Sequence, residues 1–350
     1  MRRRSERRLL AFGRALPPHA PLDTRPDPEQ ASPAWIRGAL ALAEALPSGG
    51  WYAVDGSSAI TRASRAYWVR GRPIVVWRDA RGIVAAPEAC PHMGASLAGA
   101  RACDGKLICP WHGLQLGRDG HGGWKPLPAH DDGVLCWVRC DDEPGLSAAP
   151  LLPERPARAL DAVIRVEAAC EPRDVIANRL DPWHGVHLHP YAFGKLQVIE
   201  RSDAAITVRV AYRVLGRLAV EVDARFQCVD PRTIAMTIVR GEGEGSVVET
   251  HATPIEPGRT AIVEATLASS DRHAFRVARA LAPLLRPLMN RAARRLWTDD
   301  AKYAERLYSL RRRGARHAPA RLTVADGANC ALRAAWRAQA KQPSSSRRRR

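Results

Sequence analysis

Hydrophobic and polar positions alternate along five stretches of the second half of the chain, residues 206–214, 218–226, 233–239, 246–254 and 260–267. In the first, Ile206, Val208, Val210 and Tyr212 fall on one face and Thr207, Arg209 and Ala211 on the other, the period of a half-buried strand. The five predict a large antiparallel sheet with one face buried. Between residues 51 and 138 the apolar runs are shorter: WYAV, IVVWRD, GIVAAP, KLICPWHGLQL and GVLCWVRC, separated by brief turns. They predict a small antiparallel sandwich with tight hairpins.

Helical spacing marks fewer places. Trp35, Ile36, Ala39, Leu40, Ala43 and Leu46 recur at helical intervals behind Ser32-Pro33, and Pro47-Ser48-Gly49-Gly50 ends the run. Residues 170–188 read as partly helical. Residues 271–313 read as helix with Asp271 as its N-cap and with Pro283 and Pro287 breaking or kinking its first part. A Pro-, Ala- and Leu-rich passage at 143–156 marks a crossing between two domains, 31–148 and 149–313. Residues 1–30 and 314–350 read as disordered basic extensions. The glycine-rich GEGEGS at 241–246 joins two strands and opens no helix, so it reads as a hairpin turn and not a phosphate loop.

Charge changes this picture little. The formal net charge is +18, but +4 sits in residues 1–10 and +11 in residues 311–350, leaving a nearly neutral body. A nucleic-acid role would rest on the tails alone, and none is expected. Eight Cys without framework spacing predict reduced thiols in a cytoplasmic protein. The N-terminus lacks the apolar core of an export signal, and no stretch reaches the length of a membrane span.

Candidate chemistry is concentrated in two places. Cys90-Pro91-His92 and Cys109-Pro110-Trp111-His112 each offer one thiolate and one imidazole, followed by Gly94 and Gly113, which permit tight turns. A Rieske [2Fe-2S] centre needs two Cys on one iron and two His on the other, so two loops giving one ligand to each iron fit it. Structural zinc would also accept this set, although zinc fingers usually pair Cys with Cys and His with His.

The second constellation is NRLDPWHGVHLH, with Asn178, Asp181, His184 and His189. His184 and His189 can curve round one ion if helix ends near Gly185, with His187 as the competing imidazole. A mononuclear iron(II) site of the two-His, one-carboxylate kind then needs an acid from elsewhere, because Asp181 lies too close before His184. The C-terminal helix offers two. Asp299 has Arg295, Lys302 and Arg306 as turn neighbours, an ordinary solvated face. Asp300 shares its stripe with Met289, Leu296, Trp297, Ala304 and Leu307, where an unpaired carboxylate is costly unless a metal or a polar partner takes it, so Asp300 is preferred.

With CPH…CPWHG, then NxxDxxHxxxxH, then a helical Asp, residues 35–310 resemble the large (alpha) subunit of Rieske non-haem iron oxygenases, among their poorly characterised bacterial members. The resemblance implies an α+β fold: a Rieske antiparallel β-sandwich domain followed by a helix-grip catalytic domain, an antiparallel sheet plus helices. It implies homotrimers in which Asp181 links a neighbour's Rieske His to His184, with Asn178 close to iron. It implies dioxygen and NAD(P)H-derived electrons from a ferredoxin or flavin reductase, since no nicotinamide or flavin fingerprint is present. An apolar aromatic, steroid or isoprenoid molecule would be hydroxylated, desaturated or demethylated. High-potential Rieske proteins resemble CTHLGC…CPCHGSxY, whereas Ala95, Trp111, Leu114 and Leu116 stand at the corresponding positions here, so a low-potential cluster is expected. The competing expectation is a Rieske ferredoxin-like electron-transfer protein with an inactive second site.

Overall fold

The computed structural model describes residues 10–14, 31–215 and 218–314; the remainder of the two basic extensions lies outside them. Within the first extension, β1 (Leu10–Phe12) runs parallel to Leu218–Val220, a pairing that Arg- and Pro-rich surroundings do not signal. In α1 (Pro33–Glu44), Ser32 Oγ accepts the N–H of Trp35 at 3.3 Å and Pro33 occupies the first turn.

The first half comprises β2 (Trp51–Gly56), β3 (Arg65–Val69), β4 (Arg72–Asp79), β5 (Gly82–Pro87), β6 (Ala102–Cys103), β7 (Lys106–Ile108), β8 (Gln115–Leu116), β9 (Ala129–Asp131) and β10 (Leu135–Arg139). They make three antiparallel three-stranded sheets ordered β2-β10-β9, β3-β4-β5 and β6-β7-β8. Buried Val76, Ile83, Tyr52 and Val138 fill one core, and Trp77, Leu97, Leu107 and Leu116 a second beneath the two Cys-His loops.

The second half opens with β11 (Leu160–Ala168), α2 (Pro172–Arg179) and α3 (His184–Leu188). It continues through β12 (Phe193–Arg201), β13 (Ala205–Leu215), β14 (Leu218–Asp230), β15 (Thr233–Gly241), β16 (Val247–Glu256) and β17 (Arg259–Ala268), and ends with α4 (His273–Ala280) and α5 (Ala282–Arg312). The sheet order β11-β17-β16-β15-β14-β13-β12 is a meander whose first strand returns beside the last. This is the expected α+β architecture.

Several local expectations need correction. Ile206, Val208 and Val210 join the core under α1 and α2, but Thr207 and Arg209 on the opposite face are also only 7% and 5% exposed. Arg209 can be buried because its cross-strand neighbour Asp223 accepts two hydrogen bonds at 2.7 and 2.9 Å. Helix α1, which precedes the small sheets in the chain, packs through Ala39 and Leu40 on Ile176 and Leu180 of the second half. The last helical stretch breaks at Leu281, not at Pro287, and Arg272 rather than Asp271 caps α4. Pro283 suits the first turn of α5, and Pro287, one turn further in, removes a single helical bond without ending the helix.

The halves are joined through a dry seam of Trp51, Ala53, Leu135 and Trp137 against Val263, Ala265 and Leu267. At its edge Arg155 donates to both oxygens of fully buried Glu249 and pairs with Asp132 at 3.1 Å, and His251 Nε2 lies 3.1 Å from Glu249.

Candidate metal centres

The two Cys-His loops fold as copies of one turn. The N–H of Cys90 donates to Ala95 O and that of Gly94 to Cys90 O, both at 2.8 Å; the N–H of Cys109 donates to Leu114 O at 2.9 Å and that of Gly113 to Cys109 O at 3.0 Å. Gly94 and Gly113 take φ of 77° and 73°, a region that strains residues with a Cβ. Both thiols are buried and free, and they share a hydrogen bond. The backbone N–H groups of His92 and Met93 are aimed at one sulfur and those of Trp111 and His112 at the other. Such donors stabilise negative sulfur. The imidazoles of His92 and His112 are exposed, with ring centroids 4.8 Å apart. Two inner thiolates and two outer imidazoles fit the donor set of a [2Fe-2S] Rieske centre.

The second centre is assembled by α2, α3 and α5. His184 Nε2 and His189 Nε2 lie 2.9 and 2.8 Å from the same oxygen, Oδ1 of Asp300, and the ligand atoms of all three residues fall within 4.8 Å of one another. Each imidazole is oriented from behind. His184 Nδ1–H donates to the carbonyl of Asp181, and His189 Nδ1–H to Tyr191 Oη at 3.2 Å, whose hydroxyl passes on to the carbonyl of Arg295. That turns Nε2 of both rings inward onto Asp300, where each donates to the carboxylate and from where each could offer a lone pair to a metal. Burial alone would raise Asp300, but hydrogen bonds from His184 and His189 hold its carboxyl well below the usual carboxylate range. Burial likewise opposes protonation of His184, yet Asp300 leaves it above its ordinary value. Two imidazoles and an ionised carboxylate fit iron(II) of the facial kind.

The other sequence-derived candidates are placed as follows. Asn178 is fully buried and its Nδ2 donates to Asp300 Oδ1 at 3.3 Å, leaving Oδ1 without a partner. Asp181 accepts from Tyr303 at 3.0 Å through Oδ2, and its Oδ1 is buried without a partner. Asp299 stays outside the cluster behind His189, its Oδ1 accepting from Lys302 at 3.2 Å and its Oδ2 from Tyr191 Oη at 3.5 Å and lying 3.9 Å from His189 Nδ1, and exposed His187 packs on Trp183. Tyr303 and Tyr191 are site residues that sequence reasoning did not reach. Tyr303, stacked on His184 with centroids 5.1 Å apart, lies three residues after Asp300, so helical spacing was its only signal.

A cavity of about 270 Å³ opens beside Asp300, walled by Phe193, Leu196, Val208, Val210, Phe226 and Met236. Such mostly apolar walls with few polar groups are typical of small-molecule sites.

A family model described as a domain of unknown function, DUF5914, matches residues 141–315, half of the chain. The chain belongs to the DUF5914 family. A Rieske [2Fe-2S] domain model matches residues 50–139 of this DUF5914 protein. It is 32% identical over 155 residues to a vanillate O-demethylase oxygenase subunit of Pseudomonas sp., covering 39% of this chain and 46% of the relative. It is 29% identical over 174 residues to the oxygenase component of chloroacetanilide N-alkylformylase from Rhizorhabdus wittichii, covering 43% and 48%. The chain thus spans about half the length of the curated relatives it matches. Its fold is that of the crystal structure of dicamba monooxygenase bound to dicamba, with TM-score 0.60 and 16% identity over 84% of this chain and 99% of that one. The DUF5914 protein thus carries a Rieske [2Fe-2S] domain and shares the fold of that monooxygenase structure. Among the described residues no helix is long and apolar enough to cross a membrane.

Proposed function

We propose that this chain is the oxygenase component of a system that takes electrons from NAD(P)H through a separate ferredoxin or flavin reductase. With dioxygen it hydroxylates, desaturates or demethylates an apolar small molecule. The observation that carries the reading is the convergence of His184, His189 and Asp300 on one point at the wall of an apolar cavity, in the same chain as the Rieske donor set. When bound, the [2Fe-2S] cluster would supply electrons and the iron(II) would activate dioxygen. Cys90, Cys109, His92 and His112 would hold the cluster, and His184, His189 and Asp300 the iron. An electron-transfer protein with an inactive second site would have no use for three converging ligands.

The remaining residues prepare the site. Asn178 restrains the Asp300 carboxylate, and the Asp181 carbonyl and Tyr191 keep the two imidazoles in one tautomer. The unpartnered Oδ1 of Asp181 and the exposed imidazoles of His92 and His112 support a homotrimer in which a neighbouring copy's Rieske His donates to Asp181. Asp181 would then act as a positioning residue between the centres. Free thiols throughout the described residues support a cytoplasmic setting.

Oxygen uptake tests the reading, measured with a surrogate ferredoxin, its reductase, NADH and a panel of aromatic, steroid and isoprenoid compounds. Uptake stimulated by at least one compound is expected, with its loss in Cys109→Ser and in His184→Ala. Undiminished uptake in His184→Ala would remove the assignment.

A further inference from the structure

Two charged side chains stand among the apolar walls of the cavity beside Asp300, and they are not partners. Glu264 is 5% exposed and receives Thr250 Oγ1 at 3.3 Å and the Trp297 indole. Burial pushes it above the ordinary carboxylate range, a rise that the charge of Arg179 opposes. Arg179, the last residue of α2, has no carboxylate within ion-pairing distance among the described residues, and its buried Nε finds no acceptor. Its guanidinium carbon lies over the Phe226 ring, 5.6 Å from the ring centroid. A guanidinium that lines an apolar cavity without a counter-ion is costly unless something completes it.

We propose that Arg179 is the recognition residue for the substrate: it binds a carboxylate carried by an otherwise apolar molecule, holding that molecule by one end beside Asp300. The planar fork of Arg matches a carboxylate with two parallel hydrogen bonds. Arg179 is the only Lys or Arg among the lining residues, which suits one unit of negative charge better than a phosphate dianion. The competing role is internal, since the Arg179 charge also favours the ionised form of Asp300. The inference rests on the cavity being the substrate site of the proposed oxygenase.

Calorimetric titration of the iron-loaded full-length protein under nitrogen separates the two roles. The probes are 4-methoxybenzoate, 1-naphthoate and decanoate, each against its own carboxamide. At least one acid is expected to bind about tenfold or more tightly than its amide, a preference that Arg179→Gln abolishes by weakening the acid alone. Arg179→Lys is expected to keep part of the preference, as a charge without the fork. Amide binding and iron content in the same variants report that fold and metal site are intact. Equal binding of acids and amides, an acid preference that survives Arg179→Gln, or no binding by any acid would overturn the proposal. So would loss of iron in Arg179→Gln together with full acid preference in the iron-free protein, because the internal role would then account for the residue. Iron loading is read independently of probe binding, so failure of the oxygenase assignment and failure of the anion site give different results.

Discussion

Asp299 and Asp300 are adjacent in sequence and opposite in fate. One side chain is 30% exposed and paired with Lys302, the other is buried between two imidazoles and Asn178. Asp300→Ala is therefore expected to lose the mononuclear iron while Asp299→Ala retains it, which metal analysis of the two variants decides. Tyr303→Phe removes the only hydrogen-bond donor to the Asp181 carboxylate among the described residues and leaves both carboxylate oxygens unpartnered. It should keep its iron and slow oxygen uptake by about tenfold, from one lost hydrogen bond to a charged group; unaltered uptake would exclude a positioning role for this tyrosine. Around the first centre, buried Ala95 and Leu116 and half-buried Leu114 offer no hydroxyl to the sulfurs. A redox titration should place the cluster below about +100 mV. The residues that the fold brings together at the two centres were singled out in the sequence because Cys, His and Asp were set at telling spacings. Tyr303, Tyr191 and Arg179 were not singled out, since tyrosine and arginine are ordinary on helices and loops, and the three-residue step from Asp300 to Tyr303 is common to every helix.

At the scale of elements, β13 and β14 follow the alternation in the sequence closely because the positions they turn to the main core, among them Ile206, Val208, Val210, Val222, Ala224 and Phe226, are apolar. β12 is harder to see, since bulges between Phe193 and Lys195 and between Val198 and Glu200 break its period of two. In β11 the outward Asp161, Arg165 and Glu167 dilute the apolar run. The buried side of β13 facing away from the main core was equally invisible, because Thr207 and Arg209 look like solvent residues until Asp223 is placed opposite. The network at the seam between the halves yields a stability prediction. Arg155→Ala would strand Glu249 without its principal cation and should cost about 3–5 kcal/mol, seen as a lower denaturation midpoint. Burial would raise Glu249, yet Arg155 and His251 hold it below its ordinary value. Its folded pKa being depressed, its contribution is present above the unfolded pKa of about 4.3 and is lost as pH falls through the folded value. Acid unfolding followed by circular dichroism should thus be shallower in Arg155→Ala than in the parent.

The whole molecule joins the half that carries the two Cys-His loops to the half that carries His184, His189 and Asp300 across an apolar seam, with a nearly neutral body and basic ends. In the proposed homotrimer, the unpartnered Asp181 oxygen and the exposed imidazoles of His92 and His112 are where a neighbouring copy would connect the two centres. Light scattering should accordingly give three times the mass of one chain, and a monomer that still turns over would contradict the shared site. Two metal-binding signatures, in this order in one chain, made the class of protein legible from sequence. The substrate was not, because it depends on which side chains of the sheet face the cavity. Iron analysis of the purified protein and of His184→Ala tests the central claim most directly. The wild-type chain should hold about three irons, two in the cluster and one at the second centre, falling to about two in the variant with the Rieske paramagnetic signal retained. An iron count unchanged by His184→Ala would contradict it.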